Sequence, residues 1–286
     1  MLAIALSILT ASSFSLLFKL YSKLGFNTFQ AIVVNYLTAA LVGMISIKQL
    51  PFSLSTLQQP WFPFAAFLGT FFFINFNQIA ISTAKAGVSA TTVAAKMSLV
   101  IPTFAAIWLY GESLGLYKIM GILLALVSVI LTVQQAKSEF KTEGGILLPL
   151  TIFFVAGVLD TIFGYNQRNF LNDSNFEAFT ITVFSCAFVA GAITTLVRLL
   201  MGNLVLDGKS LFAGIAIGIP NYYSVYFLVQ ALSIPNYGLS VIFPIVNIGI
   251  VAFSAVSAFL LFQEKLSWVN WLGIGLALAA IYLLGR

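Results

Sequence analysis

The chain has 286 residues, 60% hydrophobic and only 7% charged, with a formal net charge of +5, no histidine and a single cysteine. A soluble domain carries about 25% charged residues, so this composition excludes one and implies a polytopic helical membrane protein with the bilayer as its first partner. The missing histidine excludes His-based metal centres and His general bases, and Cys186 alone cannot form an intrachain disulfide.

The basic residues are scattered singly between apolar runs, without the patch or aromatic–basic interleaving of a nucleic-acid binder, and are read as topology determinants. Long continuous apolar runs argue against an outer-membrane barrel, whose strands are short and alternate. The sequence contains no phosphate-cradling loop, nucleophile elbow or metal-ligand spacing. No cofactor or metal is expected, and an enzyme is not.

Breaks at charges, Pro, Gly and Asn clusters divide the chain into ten candidate spans, residues 2–21, 28–47, 61–84, 88–110, 115–135, 145–166, 176–201, 210–232, 236–262 and 267–285. The first lacks a basic n-region and is no more apolar than its successors, so it reads as a retained helix and not a signal peptide. Ser12, Ser15 and Lys19 share one of its faces, and Asn75, Gln78 and Ser82 share a face of the third span.

The fourth span, SATTVAAKMSLVIPTFAAIWLYGE from Ser89 to Glu112, carries Lys96 between apolar neighbours. An ammonium at bilayer depth costs ~2.5 to ~10 kcal/mol or more on an isolated helix, so it normally faces a protein interior or a water-filled cavity. Ser89, Thr92, Lys96 and Thr103 fall on one helical face, as for a lined pathway. The competing reading is snorkelling to the headgroups, since Lys96 is only about 12 Å from the start of the helix.

The sixth span holds the other embedded charge, Asp160. A carboxylate at that depth takes up a proton or needs a cation partner. It is read either as a proton-coupling group or as a structural partner of Lys96. In the eighth span Tyr223, Tyr226 and Gln230 share a face, and the ninth shows Ser240 and Asn247 around Pro244. Pro102 and Pro244 can each kink their helices. Trp61 and Trp268, near span ends, fit interfacial anchors. Gly121 with Ala125 and Gly273 with Ala277 permit close packing, within the chain or at a homodimer contact.

The longest polar stretch, Gln134 to Gly144, divides the chain into halves, residues 1–140 and 141–286. Lys19, Asn27 and Gly43 recur as Gln167, Asn175 and Gly191. Phe71 and Gln78 recur as Tyr223 and Gln230. Ser89, Lys96 and Thr103 recur as Ser240, Asn247 and Ser254, and Glu112, Leu114, Gly121 and Ala125 as Glu264, Leu266, Gly273 and Ala277. The expected fold is therefore all-α, with ten transmembrane helices in two five-helix repeats. An odd number of spans per half inverts the second repeat, and transporters of that design bind substrate near the midplane between repeats. Asp160 against Ser12, and Lys96 against Asn247, break the symmetry and suit one central site. Eight basic residues against four place the termini outside the cytoplasm under the positive-inside rule.

The duplication, together with LYGESL (109–114) and LFQEKL (261–266), resembles the drug/metabolite transporter superfamily, in particular its ten-helix EamA-type members. There an apolar run ends in Gly-Glu-x-Leu and a Gly-rich apolar helix follows. The second copy departs by having Gln263 in place of Gly. The resemblance implies a cell-membrane secondary transporter working by alternating access, commonly in metabolite export, with cytoplasmic termini, against the charge count. Glu112 and Glu264 are similar to the family's loop glutamates, read as caps. The expected substrate is a small polar or anionic metabolite such as an amino acid or organic acid. Its binding set is Lys96, Asn247, Asn75, Gln78, Tyr223, Gln230, Ser89, Thr92 and Ser240, with Asp160 coupling. The alternatives are an exporter of cationic drug-like compounds using Asp160, or a non-transporting membrane scaffold.

Overall fold

A computed structural model of the chain describes residues 2–23, 25–47, 54–85, 88–112, 115–133, 147–172, 174–235, 237–262 and 266–284. Within these, the side chains of residues 14, 15, 18, 19, 21–23, 54, 83, 84, 88–90, 258 and 262 are not described. The linker Gln134–Gly144 and Glu264 thus lie outside the described residues, as do the side chains of Ser15, Lys19 and Ser89.

The described residues are all-helical. In chain order the helices are α1 (Leu2–Lys23), α2 (Thr28–Ile47), the single turn α3 (Leu54–Leu57), α4 (Phe62–Lys85), α5 (Val88–Met97), α6 (Val100–Tyr110), α7 (Leu116–Val133), α8 (Leu147–Asn169), α9 (Phe176–Leu200), α10 (Gly208–Leu232), α11 (Leu239–Phe262) and α12 (Trp268–Leu284). Seven spans are long and apolar enough to cross a membrane, one of them running through α5 and α6. Leu2–Ser13, Leu116–Thr132 and Trp268–Leu284 are apolar but shorter.

Local chemistry sets several boundaries. Asp207 caps α10, its carboxylate accepting from the Lys209 and Ser210 backbone amides and from the Ser210 hydroxyl. That hydroxyl holds the Asp207 carboxyl below the usual carboxylate range. Gly111 ends α6 at φ 63°, the left-handed conformation that glycine adopts without strain.

Helix α11 is the most enclosed of the candidate spans, and Ile242, Phe243 and Ile248 on it are almost wholly buried. Around it pack α1, α6, α7 and α12. A second apolar cluster joins α2, α4, α9 and α10 through Ile32, Tyr36, Phe73, Ile181, Phe184 and Tyr222. Glycines bring these backbones together. A Cβ on Gly218 of α10 would lie 2.7 Å from the Asn35 carbonyl oxygen, and one on Gly214 would lie 2.7 Å from that of Ala31. Residue numbers rise together along this contact, so α2 and α10 run parallel. So do α4 and α9, where Gly69 meets Val183 and Phe73 lies near Gly191. Large apolar side chains such as Phe104, Trp108 and Phe212 point outward, a surface that lipid, and not water, suits.

One expectation needs correction. Trp61 is no interfacial anchor: its side chain is 2% exposed and packs edge-on against Phe179, at 5.9 Å between centroids. Pro244 does not interrupt α11, which is continuous through it, whereas the chain does break just before Pro102. Trp268, 75% exposed, is placed as an interfacial anchor requires.

Candidate functional site

The helix break lies beside Lys96. Pro102 has no amide hydrogen, and its ring crowds the carbonyl four residues back, that of Ser98. Ser98 instead accepts a tighter bond from the Ile101 amide at 2.9 Å, while the Leu99 amide reaches the Lys96 carbonyl at a long 3.4 Å. The fourth predicted span therefore consists of two half-helices, α5 ending at Met97 and α6 starting at Val100, with the lysine in the last turn of the first.

Lys96 donates from Nζ to Asn247 Oδ1 on α11 at 3.2 Å. Both side chains are half-buried. Asp160, on α8, lies close enough for its carboxylate and the Lys96 ammonium to attract one another, although they do not form a direct ion pair. This arrangement ties the lysine to α11. Asp160 also opens onto a small cavity of about 10 Å³, scarcely room for one water, between α6, α8 and α11, whose other walls include Pro102, Tyr110, Leu239 and Phe243. Among the described residues, the aspartate is the only charged group on that cavity.

The remaining predicted residues are distributed differently. Asn75 is buried and Gln78 partly so, one turn apart on α4, and their side-chain oxygens have no hydrogen-bond partner. A buried acceptor left unpaired costs about 1–3 kcal/mol, so these two are open to a donor. Tyr223 lies among the rings of Tyr222, Tyr226 and Phe227. Gln230 lines a separate, larger cavity with Phe176, Asn172 and Ser233. Thr92 is half-buried on α5, whereas Thr103 turns back to the Leu99 carbonyl of its own helix. Ser240 is fully buried, and its hydroxyl is bonded to Glu112.

Glu112 is the centre of a second constellation, above the Asp160 cavity. Its carboxylate accepts from the backbone amides of Leu239 at 3.1 Å and Ser240 at 3.3 Å, capping α11 where the helix dipole favours an anion. It also pairs with Arg168 at 3.2 Å. The Arg168 guanidinium lies 4.0 Å over the Tyr110 ring, and Asn169 donates to the Tyr110 hydroxyl at 3.0 Å. The ends of α6 and α8 are thereby tied to the start of α11. Glu112 is the cap that the resemblance implies, whereas Tyr110, Arg168 and Phe243 are not among the expected site residues. Tyr110 sits only two residues before Glu112, and Arg168 is a cation at the end of the span that carries Asp160. Those positions were the available signals; the contact itself joins residues 56 apart.

No family model matches the chain. An uncharacterized protein of Haemophilus influenzae is 27% identical over 287 residues, covering 97% of this chain and 95% of its own. A solved crystal structure superposes on 99% of this chain and 95% of its own with a TM-score of 0.75, at 16% sequence identity. At that identity the likeness is one of fold, and it extends over nearly the whole of both chains.

Proposed function

We propose that the chain is a secondary transporter, and not an enzyme, that moves a small polar or anionic metabolite by alternating access. In this reading it crosses the cell membrane ten times, in two inverted repeats, residues 1–140 and 141–286. The observation that carries the proposal is the Lys96–Asn247 bond, between residues 151 apart. These two positions correspond in the repeats, so they meet where a two-fold axis in the membrane plane would pass. Inverted-repeat transporters bind substrate there, commonly beside a discontinuous helix such as the α5–α6 pair.

Packing contacts that recur in pairs support the repeat. Gly43 lies against Ile181 and Gly191 against Val33, both partners 148 residues apart in correspondence. Gly218 lies against Asn35 and Thr38, and Gly69 against Val183 and Cys186. Gly121 lies against Leu284 and Gly273 against Thr132. The offsets run from 148 through 149 and 151 to 152 along the chain. For the third helix of each repeat the offset is 149, three residues fewer than the 152 obtained by matching Gln78 to Gln230. A slip of nearly one turn keeps an apolar helix in register with itself, so composition alone does not reveal it.

In the transport cycle Lys96 contacts an anionic group of the substrate, Asp160 takes up or releases the coupling proton, and Asn75 and Gln78 accept hydrogen bonds from it. The Glu112–Arg168–Tyr110 ties close one end and break when the Asp160 cavity opens to that side. A second reading, export of cationic drug-like compounds, is favoured by one observation: among the described residues, Asp160 is the only charged group on a small cavity whose other walls are Thr161, Tyr110, Phe243 and aliphatic side chains.

Uptake of anionic, zwitterionic and cationic panels into proteoliposomes separates the readings. For an anionic or zwitterionic substrate, Lys96→Ala lowers transport about tenfold or more, the loss of one charge-assisted contact. Asp160→Asn abolishes accumulation driven by a pH gradient while leaving exchange. Unchanged uptake in Lys96→Ala removes the lysine from the site, and flux confined to cations, lost in Asp160→Asn, establishes the second reading.

A further inference from the structure

The Glu112 constellation joins two parts of unlike origin. One is the cap itself. The Glu112 carboxylate accepts from the Leu239 and Ser240 amides and from the Ser240 hydroxyl, and a Cβ on Gly238 would collide with it. This part has its counterpart in the other half of the sequence, where Gly87, Val88 and Ser89 correspond to Gly238, Leu239 and Ser240, and Glu264 to Glu112. The other part is a clasp supplied by the end of α8. Arg168 pairs with Glu112 at 3.2 Å and lies 4.0 Å over the Tyr110 ring, while Asn169 donates to the Tyr110 hydroxyl at 3.0 Å.

The residue types of the clasp do not recur. Arg168, Asn169 and Tyr110 correspond to Leu20, Tyr21 and Phe262, so an aliphatic side chain stands where the cation would be and the phenol has lost its hydroxyl. The cation next to Leu20, Lys19, corresponds to Gln167, and that position turns away from the clasp: Gln167 donates to Ser233 on α10 at 3.0 Å. Inverted repeats put the two caps at opposite ends of the bundle. By residue type both ends have a capped helix start, and one alone adds the arginine ion pair, the cation–π contact and the bond to the phenol. That end also covers the centre, because Tyr110 and Leu239 are walls of the small Asp160 cavity.

We propose that this asymmetry sets the resting orientation of the protein: without substrate the Glu112 end is shut, and release of Arg168 from Glu112 and Tyr110 is the step that opens it. The proposal rests on the inverted-repeat, alternating-access reading above and goes beyond it by naming the end that is held and the side chains that hold it. The cap stays with α11 throughout, and the clasp is the part that makes and breaks.

The test is the distance between spin labels on Gly115→Cys and Ser174→Cys, in the full-length Cys186→Ser protein in lipid nanodiscs, read by pulsed electron resonance. Both sites are exposed; Gly115 follows α6 and Ser174 follows α8, so parting of the clasp lengthens the distance. Without substrate the shorter distance should dominate. Arg168→Leu, which installs the residue type of the other repeat, should raise the ratio of longer to shorter distance about fivefold or more, and Arg168→Lys, which keeps the charge, by less. Arg198→Leu removes a guanidinium that lies 4.2 Å over the Phe29 ring in the last turn of α9, away from the clasp, and should leave the distances unchanged. Unfolding curves establish that each variant is folded; Tyr110→Phe, which removes only the hydroxyl bonded to Asn169, replaces an Arg168→Leu that is not, and should shift the ratio in the same direction. The proposal is overturned if the longer distance dominates with the clasp intact, if the clasp variant leaves the distribution unchanged, or if Arg198→Leu shifts it equally. A shift in a protein that carries no flux would keep the unequal fastening and remove the transport reading, whereas flux with an unchanged distribution would do the reverse.

Discussion

Glu112 illustrates how much one side chain can hold together in this chain. With only 9% of its side chain exposed it serves two backbone amides, one hydroxyl and one guanidinium, drawn from α8 and α11. Hydrogen bonds to a charged group contribute about 1.5–3 kcal/mol each when removal strands a partner. Glu112→Gln keeps the size, loses the charge and should lower the thermal midpoint of the detergent-solubilised protein by several degrees. The shift should persist in high salt, because a shielded pair is little screened. A midpoint within one degree of wild type would show that the cap is replaceable. The sequence disclosed part of this. A glutamate that follows an apolar run and a Gly is recognisable as a cap, but its ligands lie 56 and 127 residues away. No local pattern encodes such distances. Lys96 and Asp160 were legible for the opposite reason: a charge within an apolar run is conspicuous wherever its partner lies. Ser240, selected by the same reasoning as Asn247, is bonded to Glu112, because polar residues in membrane helices serve the scaffold as often as a site.

At the scale of the helix, the reading of apolar runs placed each long helix to within three residues, since a bilayer-spanning segment must satisfy its own backbone and so ends where polar residues begin. What it did not give was neighbour choice. The parallel contacts α2–α10 and α4–α9 rest on glycines whose role is invisible until the facing backbone is known. Gly218→Ala tests this directly. The added methyl would lie 2.7 Å from the Asn35 carbonyl oxygen, a backbone atom that cannot rotate away. Moving α10 off α2 also strains the Asn221–Asn35 side-chain bond of 3.1 Å. The expected cost is about 1–3 kcal/mol, as for other overpacked interiors, read as a lower unfolding midpoint. Gly115→Ala, with no atom within 4 Å of the new Cβ, should be neutral and serves as the control. The break before Pro102 and the continuity through Pro244 also separate two prolines that look alike in sequence. Pro102 interrupts backbone bonding in mid-span, whereas Pro244 sits early in α11, behind amides that Glu112 already satisfies.

For the molecule as a whole, ten crossings require α1, α7 and α12 to traverse the bilayer along with the seven longer spans. Single cysteines at Leu2, Gly115 and Leu147, in a chain whose Cys186 is changed to Ser, decide the matter. Labelling by an impermeant maleimide should reach Leu2→Cys and Gly115→Cys from one side and Leu147→Cys from the other. Gly115→Cys and Leu147→Cys on the same side would mean that α7 does not cross. The α2–α10 contact has a further consequence, for how the chain is made. The amide of Asn35 is wholly enclosed in the finished protein, and its side-chain partner is 186 residues further on. At ~5–20 residues per second of synthesis, helix α2 waits roughly 10–40 s with a polar group and a bare packing face still without their partners. Biogenesis is therefore at its most vulnerable between the completion of α2 and the arrival of α10. A ribosome stalled there leaves a fragment that can mature only by borrowing a partner, and a separately expressed second half should rescue it in trans.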